Sequence, residues 1–132
     1  MVSDAHFTAD FYATRRGALA AHLVRERLAR IWPGLPGQAV LGVGYAAPYL
    51  RLWREHAARC VALTPAQVGA ARWPVGSACL SCTAEEDALP FPDMCFDRIL
   101  LVHGLEAAEN ARRLLRELWR VLKADGRLLV VA

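Results

Sequence analysis

Four short apolar runs constrain this chain more than any other feature: Gln38 to Val43 (QAVLGV), Cys60 to Leu63 (CVAL), Phe96 to Val102 (FDRILLV) and Arg127 to Val131 (RLLVV). The first does not alternate apolar with polar residues, which suits a strand buried on both faces of a parallel sheet. Cys60 to Leu63 reads as a second buried strand, Ala78 to Ser81 as a weaker third, and Phe96 to Val102 as the clearest strand in the chain. Segments of helical length separate them. Parallel neighbours need such crossovers, so the alternation predicts an α/β chain with a doubly wound parallel sheet.

The helical segments carry their own signals. Between Asp10 and Trp32 the residues Leu19, Leu23, Val24, Leu28 and Ile31 recur at helical spacing, and Pro33, Gly34, Pro36 and Gly37 end the pattern. Ala47 to Ala58 returns to helical spacing, and Pro65 to Ala71 begins with proline at a favoured first position. Thr83, Ala84, Glu85 and Glu86 read as a capping box leading into a short helical turn, which Pro90 and Pro92 break. A helix from Glu106 to Leu122 follows, and Asp125 with Gly126 turns the chain into the last strand. The four tryptophans Trp32, Trp53, Trp73 and Trp119 read as core or helix-packing residues, while Tyr12 and Trp73 are placed to line a ligand pocket.

Composition narrows the function. With 132 residues, 55% hydrophobic and 22% charged, the chain is one domain able to bury a sizeable core, with an N-terminal helical segment at 1–37 and a sheet core at 38–132. A net charge of +3 from 16 basic and 13 acidic residues, mostly interleaved, gives no basic block of the kind that tracks nucleic acid. No stretch approaches the roughly 20 apolar residues of a membrane span. The N-terminus lacks the apolar stretch of a secretory signal, so a cytoplasmic setting is expected. There Cys60, Cys79, Cys82 and Cys95 are expected to be thiols rather than bridges. Cys79 and Cys82 form a C-x-x-C, but the other two lack the spacing of a second zinc-binding pair, and no metal site is assigned. The basic residues Arg112, Arg113, Arg116, Arg120 and Lys123 read as a solvated helix face.

Open parallel sheets bind ligands beyond the carboxyl ends of their strands, near the point where strand order reverses. After the first strand stand Gly42, Val43, Gly44, Tyr45, Ala46 and Ala47, which fit G-x-G-x-x-A. A nicotinamide-dependent enzyme would want an acid about 20 residues further on, where Ala62 stands. More specific are Leu89-Pro90-Phe91, Phe96-Asp97, and Arg120-Val121-Leu122-Lys123 with Gly126. With VLGVG (Val40 to Gly44), these resemble the pattern of class I S-adenosylmethionine-dependent methyltransferases of the small-molecule kind called type 11.

The resemblance implies a Rossmann-like sheet of five strands in the order 3-2-1-4-5, with S-adenosyl-L-methionine as cofactor and a small molecule as methyl acceptor. Gly42, Val43, Gly44, Tyr45 and Ala46 would wrap the methionine end and ribose, with Leu63 and Glu86 beside the cofactor. Glu85 would accept a hydrogen bond from the adenine amino group. His103, just past the fourth strand, would sit at the methyl-transfer site. The sequence departs from the family at two acids, since Gly42 and Ala62 stand where carboxylates are usual. The sequence also stops near the end of the fifth strand, where family members continue. The expectation is therefore of a chain truncated relative to the family, with an edge strand, Leu128 to Val131, open to self-association or a partner. A degenerate member serving as a binding or assembly subunit is the alternative implied by those departures.

Overall fold

The computed structural model describes residues 14–65, 80–106 and 108–131, with the backbone alone at 65 and 80–83. The elements are α1 (Arg15–Ile31), β1 (Ala39–Gly44), α2 (Ala47–Leu50), β2 (Arg59–Pro65), β3 (Leu80–Ala84), β4 (Phe96–Val102), α3 (Ala111–Val121) and β5 (Leu122–Val131). The strands form one sheet in the order β3-β2-β1-β4-β5, with every pairing parallel. Gly42 stands opposite Ala62 on one side and Leu100 on the other. Asp97 fixes the near end of the sheet: its Oδ2 accepts from the Ala39 amide at 2.8 Å, and its Oδ1 lies 3.4 Å from Lys123 Nζ.

Alternate residues of the central strands feed two cores. Val40, Leu100 and Val102 pack with Leu28, Trp32, Tyr49, Leu50 and Trp53 on one face. Leu41, Val43, Ile99 and Leu101 pack with Leu89, Phe96, Leu114 and Leu118 on the other. Cys60 belongs to the first core and Cys95 packs against the second, so the sheet separates two of the four thiols. Cys79 and the Cys82 side chain lie outside the described residues. Burial pushes the Cys95 thiol up, with Arg59 opposing.

Several expected elements are revised. In α1, Thr14 caps the helix by accepting from the Gly17 amide at 3.0 Å. Leu19, Leu23 and Ile31 face out, while Gly17, Ala21, Val24 and Leu28 turn inward. The helix expected through Ala58 stops after one turn at Leu50. Beyond it, bonds to the third residue back are mixed with bonds to the fourth. The His56 carbonyl turns away to accept from the Gly37 amide at 2.9 Å. Trp53 is drawn inward to donate its Nε1–H to the Trp32 carbonyl at 2.6 Å, with the two rings edge to face.

Pro65 ends β2 opposite Ala84 instead of opening a helix, and residues 66–71 of that expected helix lie outside the described residues, as do Tyr12 and Trp73. Thr83 is held in the β3 ladder opposite Thr64, so the capping box does not form and a turn follows at Glu86. The helix placed from Glu106 begins at Ala111, with Asn110 as its cap accepting from the Arg113 amide at 3.1 Å. The turn expected at Asp125 and Gly126 is an irregularity inside β5, between the pairs Phe96 with Leu122 and Arg98 with Arg127. Trp119 is 78% exposed, unlike a core tryptophan. β5 lies at the sheet edge, and its Leu128 and Val130 are partly exposed.

Candidate functional site

The carboxyl ends of β1, β4 and β5 are tied into one row by backbone hydrogen bonds. The Tyr45 amide donates to the Val102 carbonyl at 2.8 Å, and the His103 amide donates to the Val131 carbonyl at 2.8 Å. Gly44 makes this closure possible: its φ is +79°, and a Cβ there would stand 2.4 Å from the Val102 carbonyl oxygen and 3.3 Å from Gly104. No other residue fits that turn. His103 itself has a φ of +51°, an uncommon conformation for a residue with a side chain. Its Nδ1 lies 3.3 Å from Glu106 Oε2.

Gly42 has a different reason to be glycine. A Cβ there would come 2.7 Å from Leu50 Cδ1 and 2.9 Å from Ala46 Cβ, so packing occupies the place where a carboxylate would begin. Ala62, its neighbour on β2, is buried and has no polar side-chain atom. Val43, Ala46 and Leu63 are likewise buried, so their side chains serve the cores. Tyr45 remains half-buried at the turn.

Glu85 follows β3 and its side chain is exposed. Glu86 is buried: Oε1 accepts from the Asn110 amide at 2.7 Å and Oε2 from the Glu109 amide at 3.2 Å, fastening the β3 turn to the start of α3. The structure thus brings the Gly42 to Ala46 turn and His103 together at the centre, with Glu85 two strands away on the same edge. Glu86 acts as a brace.

Sequence reasoning missed three groups. Glu106 stands three residues after His103, a spacing that signals a pair only once both leave the strand end together. Arg120, counted among solvated cations, donates Nε to Glu117 Oε2 at 2.7 Å and Nη2 to Glu117 Oε1 at 3.0 Å. It also reaches the Leu89 and Phe91 carbonyls at 3.0 and 2.8 Å. Glu117 accepts from the Leu89 amide at 2.9 Å, and the Arg120 guanidinium holds its carboxyl below the ordinary range. Glu117 and Arg120 therefore lock Leu89-Pro90-Phe91 against α3, and their three-residue spacing was the available signal. The third group is Arg25, in a cleft beside Tyr45.

A parallel sheet whose connections reverse between β1 and β4, with a glycine turn at that point, defines a Rossmann-like α/β protein. The family profile described as methyltransferase domain matches residues 39–130, and the chain belongs to that family. The ubiquinone/menaquinone biosynthesis C-methyltransferase UbiE of Enterobacter sp. (strain 638) is 48% identical over 48 residues, which is 36% of this chain. That stretch spans 19% of the relative's length. Among solved structures, a complex of the Haloferax volcanii Trm112 methyltransferase activator with a methyltransferase is similar at TM-score 0.76 and 23% identity, covering 98% of this chain and 60% of that one. A SAM-dependent methyltransferase from Aquifex aeolicus gives TM-score 0.64 and 21% identity, covering 80% and 62%. No helix among the described residues is long and apolar enough to cross a membrane.

S-adenosylmethionine is the cofactor this family implies. The site fits it at two places: the tight glycine turn at Gly44, which ends β1 at the point where strand order reverses, and the exposed carboxylate of Glu85, an acceptor suited to an amino group. At Gly42 and Ala62 the side chains supply no acceptor.

Proposed function

We propose that this chain is an S-adenosylmethionine-dependent methyltransferase, or the cofactor-binding portion of one, acting on a small-molecule acceptor. The observation that carries the reading is Gly44, whose left-handed turn ends β1 tightly against β4 at the point where strand order reverses. Gly42 to Ala46 line that turn, and Glu85 binds the adenine amino group. The bound sulfonium supplies an already activated methyl group, so positioning does most of the work. His103 is the candidate base. Glu106 accepts from its Nδ1–H and thereby leaves Nε2 as the basic nitrogen in the neutral ring.

A second reading is supported by Gly42 and Ala62. The first is closed by Leu50 and Ala46 and the second is apolar, so two acceptors usual in the family are missing. Each hydrogen bond to a charged group contributes about 1.5 to 3 kcal/mol, and the loss of two predicts weak cofactor binding. A chain of that kind keeps the fold and serves as a binding or assembly subunit.

Calorimetric titration with S-adenosylhomocysteine separates the two. Saturable micromolar binding, weakened in Glu85→Ala and absent with NAD, supports the methyltransferase. No binding by the folded chain refutes it for this polypeptide and leaves the subunit reading.

A further inference from the structure

Residues Ala18, Ala21, Arg25 and Leu28 recur three and four apart and so share one stripe of α1. Toward the end of the helix this stripe is filled, since Leu28 packs into the core with Trp32. Toward its start the two alanines leave space. The result is a half-open cleft of about 310 Å³ between α1 and the β1 turn, lined by Ala18, Ala21, Arg25, Tyr45, Pro48 and Tyr49. That volume lies at the lower end of the range of small-molecule sites.

The lining has a definite chemistry. The half-buried Tyr45 ring, a proline and two alanines give an apolar wall suited to a flat ring, with the fully buried Tyr49 behind them. Arg25 brings the one formal charge. Its Nε is shielded from solvent and has no hydrogen-bond partner. None of the ion pairs among the described residues involves it, and the nearby Glu26 lies 3.3 Å from His22 instead. A shielded guanidinium donor left without an acceptor is costly, and a carboxylate that draws the guanidinium into the cleft would relieve that cost. Tyr45 directly follows Gly44, so the cleft adjoins the candidate cofactor turn.

We propose that this cleft binds an aryl carboxylate, with the carboxylate on Arg25 and the ring against Tyr45 and Pro48. Its further role as the methyl acceptor's site rests on the methyltransferase reading; the binding itself does not. A single planar cation suits one carboxylate, which its fork of N–H groups matches.

The test is calorimetric titration of the 132-residue chain with 2-naphthoate, with 2-naphthamide as the neutral counterpart and acetate as the bare anion. Arg25→Gln removes the charge and Ala21→Leu fills the cleft from the facing wall, each checked for an unchanged circular dichroism spectrum. Saturable binding of 2-naphthoate is expected, about tenfold or more weaker for 2-naphthamide, for acetate and for Arg25→Gln. Ala21→Leu is expected to abolish it. S-adenosylhomocysteine binding is expected to be unchanged in both variants. Equal affinity for the acid and the amide, or wild-type affinity in both variants, overturns the proposal. So does a parallel loss of S-adenosylhomocysteine binding, which would assign the cleft to the cofactor. If S-adenosylhomocysteine binds no form of the chain while 2-naphthoate binds through Arg25, the methyltransferase reading fails and the carboxylate site stands.

Discussion

Replacing Arg120 by methionine keeps the aliphatic stem and removes the guanidinium. The structure shows what is then lost: the two-point contact with Glu117 and the hydrogen bonds to the Leu89 and Phe91 carbonyls. The contact with Asp93, at 2.8 Å but with that carboxylate 73% exposed, adds little. Glu117 is only 16% exposed and would keep the Leu89 amide as its remaining partner. Charged hydrogen bonds contribute about 1.5 to 3 kcal/mol each, and breaking a buried pair costs about 3 to 5 kcal/mol. Arg120 is 31% exposed, so water replaces part of this, and a net loss of about 3 kcal/mol is expected. At about 4 °C per kcal/mol for a domain of this size, the midpoint falls by about 12 °C. Urea and thermal denaturation of Arg120→Met, Glu117→Gln and the double variant measure it, with a coupling of about 1 kcal/mol or more. A loss below about 1 kcal/mol, or strictly additive variants, would refute the claim that this pair holds Leu89-Pro90-Phe91 in place.

Three further outcomes follow from the same geometry. Because Arg120 holds the Glu117 carboxyl below its ordinary value of 4.5, the unfolded chain takes up that proton first; the associated stability is present above about pH 4.5 and is lost as pH falls through the folded value, and Arg120→Met should flatten this acid limb in denaturation measured from pH 6 to 3. Gly44→Ala places a Cβ against the Val102 backbone at positive φ and should cost about 3 kcal/mol or more, whereas Gly42→Ala meets Leu50 and Ala46 side chains and should cost about 1 to 3 kcal/mol; denaturation showing the reverse order would count against the turn described above. Glu86→Gln turns one acceptor into a donor facing a backbone N–H and should lower stability by about 1 to 3 kcal/mol, with faster hydrogen exchange at Glu109 and Asn110.

The parallel α/β class was legible because buried strands leave unbroken apolar runs, and β4 was placed from Phe96 to Val102 as found. What sequence reading misjudged were places where long-range contacts overrule local pattern. Trp53 and His56 end a helix that the spacing of Ala47 to Ala58 supports, because their partners are Trp32 and Gly37. Glu86 takes the Glu109 and Asn110 amides, and the helix starts after them. The outward turn of Leu19 and Leu23 was equally hidden, since Gly17 and two alanines give the packed face of α1 little hydrophobic signal. At the site, Gly44 was named from the glycine pattern after the first strand and His103 from the family resemblance. Arg25 was not, because a lone arginine on a helix is indistinguishable in sequence from a solvated one.

The two glycines of the β1 turn show why a motif must be read by position. Gly44 is required by a backbone: its absent Cβ is the space taken by the Val102 carbonyl, and through it β1 and β4 close on each other. Gly42 is required by side chains, Leu50 and Ala46, the first of them fully buried. An acid at Gly42 would have to displace Leu50 from a core that also holds Tyr49 and Trp53. Its absence is therefore tied to the one-turn α2 and the packing around it. The same short helix borders the cleft at Arg25 with Pro48, and its Tyr49 packs in the core behind it. Glycine at position 42 thus belongs to the packing arrangement that shapes the neighbouring cleft, and the two features should be altered together in any attempt to place a carboxylate there.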